Sequence, residues 1–135
     1  MTFADTSALY AVLVSTDAAH DAARVAWDEH LSRRQRYTTS SYVIEETLAL
    51  LQHRVGLAAV RVWRDAVEPI LDVVWVDAGL HARALTALLA ARRRDVSLTD
   101  WASFELMHAS GIRRAFTLDR HYAEQGFDVV PEPGS

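Results

Sequence analysis

Short apolar runs alternate with longer stretches of helical periodicity along almost the whole chain. Residues 2–5 read as a strand that feeds a helix beginning near Ser7. Between Asp17 and Arg34, Ala19, Ala22, Ala23, Ala26, Trp27 and Leu31 recur at helical spacing and mark one apolar face. Arg36–Thr39 predicts a second strand, with Ser40 or Ser41 capping a helix that runs to about Arg54. Gly56 closes that helix, and another extends from Leu57 to about Val67, ahead of Pro69. Asp72–Val76 predicts a third strand and Ala78–Arg93 a helix; Ser97 opens a helix that stops at Gly111. Ala115–Thr117 and Phe127–Val130 predict the last two strands. Strands alternating with helices imply an α/β domain with a short, mostly parallel sheet covered on both faces.

The chain has 135 residues, half of them hydrophobic, which suffices for one domain with its own core. That domain is expected over residues 1–131, followed by a short tail at 132–135. The absence of cysteine excludes disulfides, thiolate metal sites and a cysteine nucleophile, and suits a reducing compartment. No apolar run approaches the ~18 residues of a membrane span, so a cytoplasmic protein with no membrane association is expected. There is no Gly-x-Ser-x-Gly elbow and no glycine-rich phosphate loop.

The formal charge of −4 argues mildly against a nucleic-acid binder, but its distribution is uneven. All fourteen basic residues are arginine, clustered at Arg33, Arg34 and Arg36, at Arg92 to Arg94, and at Arg113 and Arg114. Arginine pairs bidentately with phosphate or carboxylate. The ordinary reading of each cluster is a solvated helix end favoured by the helix dipole.

Four acids fall at special places in this layout. Asp5 closes the first strand, Asp119 lies just past the strand at 115–117, and Asp100 sits in the first turn of a helix. In open parallel sheets, ligands bind outside the carboxyl ends of the strands. Glu46 must reach the same place from a helix; its neighbours Tyr42, Val43, Ala49 and Leu50 are largely apolar, whereas Glu45 has Ser41 beside it. Glu46 is therefore favoured over Glu45, and the doublet leaves the choice open. Each acid also has an ordinary explanation. Ser97-Leu98-Thr99-Asp100 can form a capping box, Asp5 and Asp119 can cap turns or helices, and Glu46 can pair with His53 or an arginine. Gathered together they carry more weight, because like charges ~6 Å apart repel by ~3 kcal/mol per pair even at a dielectric of ~20. A divalent cation would offset that repulsion.

The histidines show no paired ligand spacing, and His121 reads as an exposed loop residue. Trp27, Trp63, Trp75 and Trp101 read as core or interface anchors. Leu57, Val60, Trp63 and Val67 form one apolar stripe that could serve core or dimer. Receiver domains and aspartate-nucleophile phosphatases also place acids at strand ends, but both need a lysine and this chain has none.

Four segments resemble the PIN-domain ribonucleases, and more narrowly the toxin half of VapBC-type toxin–antitoxin pairs. They are Asp5-Thr6-Ser7-Ala8-Leu9-Tyr10, Tyr42-Val43-Ile44-Glu45-Glu46-Thr47-Leu48, Ser97-Leu98-Thr99-Asp100-Trp101-Ala102-Ser103 and Phe116-Thr117-Leu118-Asp119-Arg120-His121-Tyr122. Gly126-Phe127 and Val129-Val130-Pro131 follow in the same order. The resemblance implies a three-layer α/β/α sandwich and a metal-dependent endoribonuclease. It implies Asp5, Glu46, Asp100 and Asp119 as ligands of Mg2+ or Mn2+, with Ser7 as auxiliary; Thr117 could likewise orient a ligand carboxylate. It further implies a homodimer and a small VapB-like antitoxin that occludes the acid cleft. A structured RNA is the expected substrate, with Arg34, Arg93 and Arg113 as candidates to hold its backbone. The alternatives are a non-catalytic RNA- or partner-binding domain, and a DNA-cleaving nuclease of the same chemistry.

Overall fold

The apolar runs become strands and the periodic stretches become helices. The computed structural model describes residues 1–133, so the last two residues of the expected tail lie outside it. In chain order the elements are β1 (Thr2–Ala4), α1 (Thr6–Leu13), α2 (His20–Ser32), β2 (Tyr37–Ser40), α3 (Ser41–Arg54) and α4 (Leu57–Val62). Then come β3 (Leu71–Val74), α5 (Ala78–Ala91), α6 (Leu98–Ser110), β4 (Arg114–Phe116), α7 (Arg120–Glu124) and β5 (Asp128–Val130).

The five strands form one sheet in the order β3-β2-β1-β4-β5. Every pairing is parallel, where the sequence predicted a mostly parallel sheet. Thr2, Phe3 and Ala4 are all buried. Successive strand residues point to opposite faces, so both faces of the central strand are covered, as in a three-layer α/β/α sandwich. β1 lies between β2, which follows it in the chain, and β4, which arrives after the connections have reversed direction. The reversal creates a switch point at the carboxyl ends of β1 and β4, where such sheets bind ligands.

Aromatic stacking fills the centre. Tyr37 stacks on Trp27 with ring centroids 5.2 Å apart and on Phe116 at 4.9 Å. A second group joins Phe104, Tyr122 and Phe127, with Phe104 set edge-on to Tyr122 at 4.9 Å.

Several boundaries differ from the sequence expectation for local reasons. α2 starts at His20 because the Asp17 carboxylate accepts from the Ala19 amide at 2.9 Å and holds a turn ahead of the helix. α4 ends at Val62 and widens into a π turn at Trp63–Val67, then a 3-10 turn at Glu68–Ile70. Pro69, which has no amide hydrogen, cannot continue the α ladder. β3 ends at Val74, leaving Trp75 beyond the strand and 72% exposed, so it is no core anchor. The stripe of Leu57, Val60, Trp63 and Val67 is divided: Trp63 and Val67 enter the core, while Leu57 is exposed. α7 has five residues, too short for its period to be read. Among the described residues no helix is long and apolar enough to cross a membrane.

Phe104 is 2% exposed and joins the edge of α6 to Tyr122 and Phe127. Phe104→Ala is expected to destabilise the fold by about 3–5 kcal/mol. Urea denaturation followed by circular dichroism measures the change.

Candidate active site

Two of the four acids are helix N-caps and a third completes a capping box, and the same three turn into one cleft. Asp5 caps α1, with Oδ2 accepting from the Ser7 amide at 3.4 Å. Asp100 completes a capping box with Ser97 at the start of α6. Asp119 caps α7, accepting from the His121 amide at 2.9 Å. The ordinary explanation and the functional one therefore describe the same geometry. A cap fixes each carboxylate at the mouth of a helix, and the sheet brings those mouths together.

The fourth acid comes from the side of α3. Glu46 lines the cleft with Asp5, Asp100 and Asp119, in a cavity of about 320 Å³. Glu45 is exposed, and the cleft-lining acid of the doublet is Glu46.

Asp5 sits deepest, 3% exposed. Its Oδ2 accepts from the Ser7 hydroxyl at 2.8 Å and the Thr117 hydroxyl at 2.9 Å, and its Oδ1 from the Tyr122 hydroxyl at 3.0 Å. Thr117 Oγ1 also accepts from the Asp119 amide at 3.0 Å, and Ser7 Oγ from the Leu118 amide at 2.9 Å. Ser7 and Thr117 thus lock the carboxyl end of β1 to the loop after β4. Tyr122 stands within the last motif, but no spacing marks its hydroxyl as a partner of Asp5. Only the packing of α7 against the core reveals it.

Electrostatics record the crowding. Burial pushes the Asp5 carboxyl up, the three hydroxyls pull it back, and Asp119 adds repulsion. Burial likewise raises Glu46, against the hydroxyls of Thr6 and Thr99, with the Asp5 charge adding to the rise. Asp100 is pushed up to about 7, first by burial and then by the charges of Asp5 and Asp119. A carboxyl that holds its proton near neutrality lacks a counter-charge. The donors are hard oxygens that suit Mg2+ or Mn2+. The residues therefore fit a divalent cation, which would supply the missing positive charge.

Asp100, Asp119 and His121 each offer one ligand atom, and these lie within 4.8 Å of one another. His121 is a correction to the sequence reading. It belongs to α7 rather than to an exposed loop, and its side chain is only 12% exposed.

None of the three candidate arginines lines the acid cleft. Arg34 precedes β2 and Arg113 precedes β4, so in a parallel sheet both stand at the amino ends of the strands. The acids occupy the carboxyl ends, a strand length of roughly 10–13 Å away. Arg93 lies in the loop leading to α6 and is engaged by Asp95 at 2.8 Å and Glu124 at 3.1 Å. The cation inside the cleft is Arg54, which also covers the ring of Tyr10 at 5.7 Å. The spacing that marks it is Glu46, Leu50 and Arg54, one face of α3 at four-residue intervals.

A parallel sheet with acids gathered at its carboxyl rim, beside the switch point, defines an α/β protein with a polar cleft at the usual ligand position. The PIN domain model matches residues 2–128, and the chain belongs to the PIN-domain family. It is 34% identical over 134 residues to the 23S rRNA-specific endonuclease VapC20 of Mycobacterium tuberculosis, in both strain CDC 1551 / Oshkosh and strain ATCC 25618 / H37Rv. That alignment covers 98% of this chain and all of the relative. The crystal structure of M. tuberculosis VapC20, a sarcin-ricin loop cleaving toxin, superposes with a TM-score of 0.83 and 31% identity, over 94% of this chain and 96% of that one.

A proton on Asp100 makes a pH prediction for the metal-free protein. Folded, Asp100 holds its proton to about pH 7, whereas an ordinary aspartate releases it near 3.8. The folded chain binds more protons between these values, so this group lowers stability as pH rises from about 4 to 7. In Asp100→Asn that fall should flatten. Thermal melts of both proteins in chelator across the window check the slope; parallel profiles would contradict the assignment.

Proposed function

We propose that this chain is a metal-dependent endoribonuclease, the toxin of a type II toxin–antitoxin pair, that hydrolyses a phosphodiester in a loop of structured RNA. The observation that carries the reading is the meeting of Asp5, Glu46, Asp100 and Asp119, from four separate elements, in one cleft where Asp100 keeps its proton to about 7. Full-length likeness to VapC20, named for cleavage of 23S rRNA, supports ribosomal RNA as the substrate class. Unpaired loop nucleotides are the part of such an RNA that a protein cleft can admit.

Asp5, Glu46, Asp100 and Asp119 would hold Mg2+ or Mn2+. When bound, the cation supplies charge for the scissile phosphate and acidifies the attacking water. Ser7, Thr117 and Tyr122 keep Asp5 aimed, and their hydrogen bonds favour its charged form against burial. Glu46 stands across the cleft, able to orient water or share the cation. Arg54 offers a bidentate contact to a flanking phosphate from the wall of the same cleft. A small VapB-like antitoxin inhibits by placing a basic side chain among these acids. The working unit is a homodimer in the cytoplasm.

Asp5→Asn and Asp100→Asn should each lower cleavage of a ribosomal RNA loop oligonucleotide by at least ~10³-fold, the loss of several kcal/mol of transition-state stabilisation. In chelator at neutral pH, Asp100→Asn should melt no lower than the native protein, because it removes repulsion, whereas Asp5→Asn should melt somewhat lower, because an amide cannot accept from all three hydroxyls. Matched RNA and DNA hairpins, assayed with Mg2+ and Mn2+, test substrate class in the same experiment. Retained cleavage, or an Asp100→Asn variant that does not fold, would contradict the roles assigned here.

A further inference from the structure

His121 has a geometry that the cleavage reading leaves unused. Both ring nitrogens are shielded from solvent, yet neither makes a hydrogen bond of acceptable geometry. Nδ1 lies 3.0 Å from Asp119 Oδ1, on the side where Asp100 and Asp119 gather. Nε2 lies 3.3 Å from Asp95 Oδ2 on the other side. Asp95 is itself fixed, gripped by the Arg93 guanidinium at 2.8 and 3.1 Å. Arg93 is tied in turn to Glu124 on α7, the helix that carries His121.

An imidazole with one nitrogen toward a carboxylate outside and the other toward a group of carboxylates inside has a well-known use. Metal-binding histidines give their second ring N–H to a carboxylate, which fixes the tautomer and aims the free nitrogen at the ion.

We propose that His121 is a nitrogen ligand to the divalent cation held with Asp100 and Asp119, aimed by Asp95 and Arg93, and that it makes this site take Mn2+ in preference to Mg2+. The inference rests on the metal-dependent reading above. Its chemistry is that of the donor atoms. Mg2+ is held by oxygen and keeps its waters reluctant to leave, whereas Mn2+, a first-row transition ion, accepts imidazole nitrogen more readily. An all-carboxylate site gives little discrimination between the two ions. One nitrogen in the set changes that balance.

The test uses the full chain stripped of metal, without RNA. Mn2+ and Mg2+ are titrated calorimetrically into the native protein, His121→Ala and Asp95→Asn, and the Mn2+-loaded samples are examined by electron spin-echo spectroscopy. The native protein should bind Mn2+ at least ~10-fold tighter than Mg2+ and show nitrogen-14 modulation. His121→Ala should lose the modulation and weaken Mn2+ by ~10–100-fold, leaving Mg2+ within about twofold. Asp95→Asn alters a half-exposed side chain and keeps the imidazole, so it should retain the modulation while weakening Mn2+ by ~10-fold. The native spectrum and Asp95→Asn decide the matter even if His121→Ala fails to fold. Mn2+ bound without nitrogen modulation, or an unchanged ion preference in His121→Ala, overturns this inference alone. A native protein that binds neither ion overturns it together with the proposed function.

Discussion

Asp5 is the constraint around which the site is built. A carboxylate 3% exposed at the end of the central strand has to be satisfied by its surroundings. Three hydroxyls from three places meet this demand: Ser7 from the first turn of α1, Thr117 from the end of β4 and Tyr122 from α7. Because those donors also hold the Asp119 and Leu118 amides, satisfying Asp5 fixes the loop that carries Asp119. The acid that most needs neighbours thereby positions the next one.

The same economy runs through the other acids. A helix cap is an ordinary means of satisfying orphan amides, and here it also sets the direction of a cleft-lining side chain. Asp100 shows that caps alone do not complete the arrangement. It accepts from the Ser97 amide at 3.4 Å, yet burial and the charges of Asp5 and Asp119 leave it protonated to about 7. The fold closes its backbone accounts and leaves an electrostatic deficit in the cleft. Such a deficit is what a binding site for a cation consists of before the cation arrives.

Much of this was legible in the sequence. Helical and strand periods locate nearly every element, since each apolar face repeats at its own spacing. The acids stand out because strand ends and helix starts are the positions a parallel sheet brings together. What was hidden is tertiary or very short. α7 is a single turn and a half, so His121 read as an exposed loop and the Tyr122 hydroxyl had no visible partner. Trp75 read as part of a strand because Val73, Val74 and Val76 surround it, but pairing with β2 stops at Val74. Arg34 and Arg113 were prominent as clusters, and only the parallel topology reveals that they stand at the far ends of their strands. Arg54 was inconspicuous in composition yet lies one helical face from Glu46.

If the proposed function holds, carboxylates from four elements close on one divalent cation. Anomalous diffraction from a crystal of the native protein equilibrated with Mn2+ tests this directly. An ordered ion is expected inside the cleft, within roughly 2.5 Å of oxygens from at least two of Asp5, Glu46, Asp100 and Asp119. A cleft without an anomalous peak, its carboxylates each resting on their own helix ends, would contradict it.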